Sequence, residues 1–365
     1  MAMIYPKQQA FILVTTLWML AILTIAASFF AVWTQRAVDL AQDLQTDLQG
    51  EVDAYNTQAQ LLYLFSTRRL TMAGLNLKLS KVQLNFSGDF DITAALPVGG
   101  EIALDDTVYQ GVGSARFSVQ DKAGLFSLHH LSIGLSQTAK RKAMKLLGVL
   151  GVPTELRETL VARLQDYVDS DDSHRLNGAE AMHYKQAGLP PPSNRLLLNP
   201  MECRTILGWA EQEPLWNNGV WGQIATTVTA GFLNLNTAPA LVLQSLDGID
   251  AAIANRVVAR RKEFGAFTHY GQFQQTIGVE VGSDVFTVGY RVYPSEYFRI
   301  STWHENSQRM RQQHIELTPI QDQAKPWKVN YSADLALSTH HINAKPLILK
   351  AAFITTAKKN ELSDD

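Results

Sequence analysis

FILVTTLWMLAILTIAASFFAVW, residues 11–33, contains no charged side chain and is mostly Ile, Leu, Val, Ala, Phe, Met and Trp. As a helix rising ~1.5 Å per residue it reaches ~35 Å, enough to cross a hydrocarbon core of ~30 Å. A cleaved secretory signal has an apolar region of only about 7 to 15 residues that ends at a small-residue cleavage site, so a retained membrane helix accounts better for this run. Working outward, the stretch from Arg36 to about Leu62 contains no Pro and only Gly50. Its apolar residues Leu40, Leu44, Leu48, Val52 and Tyr55 recur at three- and four-residue steps, the stripe of an amphipathic helix. The sequence thus predicts one long rod, a membrane helix over 11–34 continued by an amphipathic helix over 35–66. Lys7 precedes the span and Arg36 follows it, with Asp39, Asp43 and Asp47 next. Because orientation follows mainly Lys and Arg, charge alone favours neither topology.

The whole chain has 365 residues, 46% hydrophobic and 18% charged, with 32 Lys+Arg against 34 Asp+Glu and a net charge of −2. This composition excludes a disordered or fibrous protein and leaves room for about two to three domains. Near-neutral charge argues against a general electrostatic grip on nucleic acid, which needs a concentrated basic surface. The single cysteine, Cys203, forms no intramolecular disulfide and fits no CxxC metal pattern.

Beyond about Thr67 the periodicity shortens. Residues 102–104, 107–110 and 114–119 read as strands punctuated by Gly111, Gly113 and Gly124. Helical periodicity dominates 132–289, and strand-like alternation returns at 290–293, 297–301 and 311–317. The predicted class is α+β: a small antiparallel sheet domain, 67–131 with 290–318, interrupted by a large all-helical insertion, 132–289. The extension 319–365 contains a strand-rich stretch and the apolar run 346–354, and its tail 358–365 has a disordered composition.

A short leader with a Lys, a small residue, then Phe opening an apolar helix with an amphipathic second half resembles the type IV pilins and pseudopilins. Three further stretches, VQDKAGLFSLHHL (119–131), LQDYVDSDDSHRLNGAEAMHY (164–184) and GFLNLNTAPALVL (231–243), are similar to the general secretion pathway protein K family, the minor pseudopilins of type II secretion systems. The similarity covers most of residues 5–318. It implies a pilin-like sheet carrying a helical insertion. It also implies a leader, 1–10, removed by a prepilin peptidase between Ala10 and Phe11, with methylation of the new N-terminus. The family usually has Gly where this chain has Ala10, and Asn-Leu-Asn where it has Ser127, Leu128 and His129. At the fifth mature position most pilins carry Glu, and this chain carries Thr15. A carboxylate in a bilayer is costly unless it meets a partner, so its absence suits a subunit at the first or tip position.

Asp166, Asp169, Asp171, Asp172 and Glu180 form the best metal candidate, since hard oxygens on a helix end and the following loop suit Ca²⁺. Asp166 and Asp169 share a helical face, and a cation would relieve their repulsion. The spacing is not that of an EF-hand. The competing account is a solvated loop from Asp169 to Ser173, with Gly178-Ala179-Glu180 starting a helix. The resemblance adds weight to calcium, which is associated with the family's helical domain.

Residues 234–273 resemble a helix-hairpin-helix: Thr237 is the expected N-cap with Pro239 just inside, Leu246 to Asp250 around Gly248 form the hairpin, and 253–264 the second helix. Hairpin amides of this kind contact phosphate. Here Asp247 and Asp250 flank Gly248, and the bases Arg256, Arg260, Arg261 and Lys262 barely exceed the acids, so a packing unit for protein contacts is the better account and nucleic acid is not an expected partner. His129 and His130, read as strand neighbours, point to opposite faces and share no metal. His340 and His341 are read in the same way. Trp209, Trp216 and Trp221 with Phe232 belong to a helical core in preference to an exposed face. No hydrolase, metalloprotease, nucleotide-binding or dinucleotide-binding fingerprint is present.

The expected function is that of a non-enzymatic, single-pass inner-membrane subunit with its bulk in the periplasm, at the tip of a pseudopilus that supports export of folded proteins. The resemblance implies as partners the other minor pseudopilins and the major one, the prepilin peptidase, the inner-membrane platform and exported proteins. The rivals are a membrane-anchored DNA-binding protein using the hairpin, a membrane-anchored enzyme, and a minor pilin of a related type IV system.

Overall fold

The computed structural model describes residues 9–78, 92–132, 137–229, 231–278, 289–318 and 325–349. The leader up to Gln8, the end of the apolar run 346–354 and the tail 358–365 lie outside the described residues. Contacts divide the chain into two compact units, Met1–Val52 and Asp53–Asp365.

One helix, α1 (Gln9–Thr67), occupies the first unit and continues into the second over 59 residues without a break. It is the predicted rod, and no Pro interrupts its hydrogen bonds. Among the described residues it is the one helix long and apolar enough to cross a membrane. Leu13, Leu23 and Phe29 of the apolar segment are 71%, 68% and 74% exposed. Its hydroxyls turn back onto the helix, Ser28 Oγ donating to Thr24 O at 2.7 Å and Thr34 Oγ1 to Phe30 O at 2.9 Å. A bilayer offers no other acceptor, so this internal satisfaction is what a spanning helix requires.

In the second unit, β1 (Leu70–Thr71) and β2 (Gly74–Leu75) form a small hairpin, followed by β3 (Asp105–Gln110), β4 (Ala115–Asp121) and β5 (Phe126–Ser127). Then come α2 (His129–Ser132), α3 (Gln137–Val149), α4 (Thr154–Val168), α5 (Ala181–Gln186), α6 (Glu213–Trp216) and α7 (Val220–Ile224). The short strands β6 (Ala225–Thr226) and β7 (Leu233–Asn234) precede α8 (Ala240–Leu243), α9 (Ala251–Phe264) and α10 (Tyr270–Ile277). The chain closes with β8 (Tyr290–Arg291), β9 (Tyr297–His304), β10 (Arg309–Leu317), β11 (Trp327–Ala336) and α11 (Thr339–Asn343). β3, β4, β9, β10 and β11 make one antiparallel sheet in the order β11-β10-β9-β4-β3. The insertion is tied off at its mouth by two parallel pairs, β5 with β6 and β7 with β8, which a purely helical reading of 132–289 does not include.

The sheet's two faces differ. Toward α1, Leu61, Leu64 and Phe65 pack with Phe117, Val119, Phe298, Ile300 and Ile315, and the Phe65 and Phe298 rings lie 4.8 Å apart. The β3–β4 turn grips α1: Val112 N donates to Thr57 Oγ1 at 2.9 Å and Ser114 N to Asp53 Oδ2 at 3.0 Å. Gly113, at φ +54°, is required there, because a Cβ would stand 2.1 Å from Asp53 Oδ2. The other face is polar yet buried, with Ser118, Gln120, Arg299, Ser301 and Gln312 all below 3% exposure. Arg299 ties this face to its surroundings: its Nη1 donates to Gly222 O at 2.9 Å in the insertion and its Nη2 pairs with Asp106 at 3.3 Å.

Asp106 also faces His341 Nε2 at 3.4 Å, which anchors the C-terminal extension. That extension supplies edge strand β11, and α11 follows it. At the opposite edge Leu347 pairs with β3, Gln110 N donating to Leu347 O at 2.9 Å and Leu347 N to Val108 O at 3.0 Å. Both His pairs correct their strand-neighbour reading: His129 and His130 open α2, and His340 and His341 lie in α11 with rings 5.1 Å apart.

The insertion's main core contains Leu146, Leu160, Leu164 and Tyr184 around Trp209 and Trp221. The two indoles lie 5.3 Å apart and donate to Leu160 O at 3.0 Å and Pro200 O at 3.2 Å. Trp216 packs at the margin, and Phe232 is 52% exposed. Cys203 is buried, which pushes its thiol up and leaves it unreactive.

Candidate functional site

Two of the motifs singled out from sequence meet in a buried knot. Asp121, at the end of β4 and fully buried, accepts from Ala123 N at 3.0 Å, Ser295 Oγ at 2.5 Å, Asn234 Nδ2 at 2.7 Å and Thr237 Oγ1 at 3.1 Å. Burial raises its pKa although these donors oppose the shift. Gly124 lets the chains approach, since a Cβ there would meet Thr237 Oγ1 at 2.5 Å. Beside it Asn236 Nδ2 faces Val292 O at 2.7 Å and Phe267 O at 2.9 Å, and its Oδ1 accepts from Phe267 N at 2.7 Å. The knot joins sheet, insertion mouth and hairpin unit through a buried polar network centred on the Asp121 carboxylate, the kind of network that specifies one geometry. It also corrects one expectation: Thr237 is not the helix cap. Its hydroxyl is spent on Asp121, and Pro239 stands at the N-cap of α8.

The acidic loop begins where α4 ends. Asp166, fully buried, accepts from Ala179 N at 2.9 Å, Arg175 N at 3.1 Å and Arg175 Nη1 at 2.6 Å. The same guanidinium reaches Asp169 Oδ2, so Arg175 is the cation between the two aspartates. Gly178 passes so close that a Cβ would lie 1.8 Å from Asp166 Oδ2. Asp171 holds the turn by accepting from Ser173 N at 2.8 Å. Glu180 caps α5, its N–H donating to His183 Nδ1 at 3.1 Å, and is 5% exposed. Burial first, then Asp166, Asp169, Asp172 and Asp171, push its carboxyl up to about 7. Among the described residues no three His, Cys, Asp or Glu side chains converge as a metal-ligand set. The five residues are gathered electrostatically, and Arg175 pairs with two of them, Asp166 and Asp169.

In the hairpin, Gly248 takes φ +79° and Asp250 caps α9 by accepting from Ile253 N at 2.8 Å. Lys145 of α3 donates its ammonium to Leu246 O and, at 3.2 Å, to Ile249 O, while Arg141 pairs with Asp247 at 3.4 Å. Two of the bases of α9 are also engaged internally: Arg260 donates to Gly265 O at 2.6 Å and Arg261 to Leu235 O at 2.8 Å. The hairpin is therefore docked on α3 within the helical insertion.

At the N-terminus, Ala10 and Phe11 lie in the first turns of α1, their side chains outside the description. Thr15 donates to Ile12 O at 2.9 Å, as a hydroxyl in a membrane helix does.

Sequence reasoning missed Lys145 and Arg175. Arg175 was within reach, as the only Lys or Arg among the loop's acids. Lys145 offered no local signal, since it lies 101 residues from the carbonyl it meets.

Residues 124–213 match the family model for protein K of the type II secretion system, and residues 228–281 match the helix-hairpin-helix motif. A chain of the GspK-GspI-GspJ complex from the enterotoxigenic Escherichia coli type II secretion system shares the fold at TM-score 0.51 and 16% identity, over 82% of this chain and 99% of that chain. No curated protein matches. The resemblance to protein K read from the sequence is thus borne out, by the family model over the first part of the insertion and by the solved structure for the fold.

Proposed function

We propose that this chain is a non-enzymatic minor pseudopilin of a type II secretion system, anchored by α1 in the inner membrane with the second unit in the periplasm. The observation that carries the proposal is the combination of one 59-residue helix whose first half is apolar with a protein K-like helical insertion set into an antiparallel sheet. Other minor pseudopilins are its proposed partners, as in the solved complex. Helix packing between apolar faces supplies association, and Thr15 in place of an acid together with the bulk of the second unit suits a tip position, from which the assembly supports export of folded proteins. Mass spectrometry of the N-terminus, purified from host membranes with and without prepilin peptidase, tests this reading. A methylated Phe11, lost without the peptidase, is expected; an intact Met1 or a cut beyond Trp33 would overturn it.

Calcium at the acidic loop belongs to the same proposal. Asp166, Asp169, Asp171, Asp172 and Glu180 supply hard oxygens, and the negative field of the four aspartates, which after burial raises the pKa of Glu180, favours a cation there. Arg175 would have to yield its place. Titrating Ca²⁺ into the chain at pH 7.5 should raise the unfolding midpoint; no shift and no heat of binding would remove calcium from the proposal.

The hairpin match keeps DNA binding as the second reading. The engagement of Lys145, Arg260 and Arg261 weighs against it, and salt-sensitive retention of duplex DNA by the full chain would reinstate it.

A further inference from the structure

On α1 between Asp39 and Val52 two adjacent ridges run side by side. Leu40, Leu44, Leu48 and Val52 form one, and they are 60%, 61%, 65% and 45% exposed. Asp39, Asp43, Asp47 and Glu51, each one residue earlier, form the other, and all four are exposed. Both follow four-residue steps, the rows along which helices interdigitate. Arg36 is the only base between residues 35 and 52. Like charges at four-residue steps weaken an isolated helix, and an exposed apolar row is costly in water. Neither liability is relieved within this stretch: Gln35 Nε2 donating to Asp39 at 2.8 Å is a neutral partner. One occupant relieves both, a helix with its own apolar row bordered by Lys or Arg at four-residue steps.

We propose that the 39–52 segment of α1 docks such a basic-flanked helix of another subunit, the apolar ridges meeting and the acidic ladder selecting the partner and its register. The proposal rests on the pseudopilin reading. The segment lies beyond the apolar run, where charges are hydrated and pairing is cheap to form yet discriminating against wrong partners. A second copy of this chain is disfavoured, because it would bring two acidic ladders together.

The test uses the full chain in membranes of its own host, with Leu44→Cys, or Leu23→Cys as a control within the apolar run, alkylated with benzophenone-4-maleimide and joined to neighbours by irradiation, which inserts into partner C–H bonds and needs no thiol on the partner. The joined segment is sequenced by mass spectrometry. The expected partner at Leu44→Cys is a helix with at least two Lys or Arg at four-residue steps. Adding Asp43→Lys and Asp47→Lys should lower that yield by about fivefold or more, as like-charge juxtaposition predicts, and leave the Leu23→Cys yield unchanged. A neutral or acidic partner helix, a second copy of this chain, a yield indifferent to charge reversal, or adducts at Leu23→Cys alone would overturn the proposal and leave the pseudopilin reading standing. No adduct at either position would overturn that reading, and the docking proposal with it.

Discussion

In the acidic loop a guanidinium from within the loop lies between two aspartates, whereas in the hairpin an ammonium from a different helix closes a pair of main-chain carbonyls. Both places carry residue patterns that suggest an external ligand, a metal in one and a phosphate in the other. The chain supplies its own cation to each. The supply differs in balance: Arg175 faces Asp166 and Asp169 with Asp171, Asp172 and Glu180 nearby, and the surplus is felt at Glu180. Lys145 meets neutral carbonyls, with Asp247 and Asp250 acting on it from a distance. The loop is therefore electrostatically overfull, and the hairpin is closed.

The largest effect should come from removing the loop's centre. Asp166→Ala strips the acceptor from the buried Ala179 amide, the half-buried Arg175 amide and the Arg175 guanidinium, and each stranded buried donor costs about 1–3 kcal/mol. A loss of roughly 3 kcal/mol or more in chemical denaturation is expected from those same donors, while Asp171→Ala, on an exposed turn, should stay within about 1 kcal/mol. Equal effects of the two substitutions would mean that Asp166 is not the organising group.

Lys145→Met should act less strongly and elsewhere. It removes a charge-assisted hydrogen-bond pair that is half-buried, worth about 1–2 kcal/mol after screening. Hydrogen exchange should quicken in the connector between α8 and α9 and stay unchanged at residues 166–180. Faster exchange in both regions would show that the loop and hairpin are one cooperative element and dissolve the contrast between them.

The same contrast explains what could be read in advance. The continuous α1 was legible because a long apolar run and a three-and-four stripe without Pro admit one solution, and β4, β9 and β10 were legible to within a few residues. Inside the acidic loop, Asp169 and Arg175 are six residues apart, so their encounter is written locally. Lys145 meets Leu246 across 101 residues, and Asp121 meets Ser295 across 174, so neither pairing leaves a local trace. β11 was obscure for another reason: as an edge strand it exposes Lys328, Asn330, Ser332 and Asp334 and buries little, so its alternation is faint. Thr237 was assigned to a helix cap because its local pattern fits one, and a buried aspartate from another strand outcompeted it.

The smallest effect is the most diagnostic of surplus charge. Glu180 has its carboxyl raised from 4.5 to about 7 in the fold. Between those values the folded chain still holds a proton that the unfolded chain has released, so this group's contribution favours folding at low pH and is lost as pH rises from about 4.5 to 7. Asp169, also raised by burial, adds in the same direction. The denaturation free energy of the unsubstituted chain minus that of Glu180→Gln should therefore fall across this window and be flat above it. The corresponding difference for Lys145→Met should carry no slope there, because carbonyl acceptors do not titrate. A flat Glu180→Gln difference would mean that Arg175 neutralises the whole loop, and the two sites would then be equally closed.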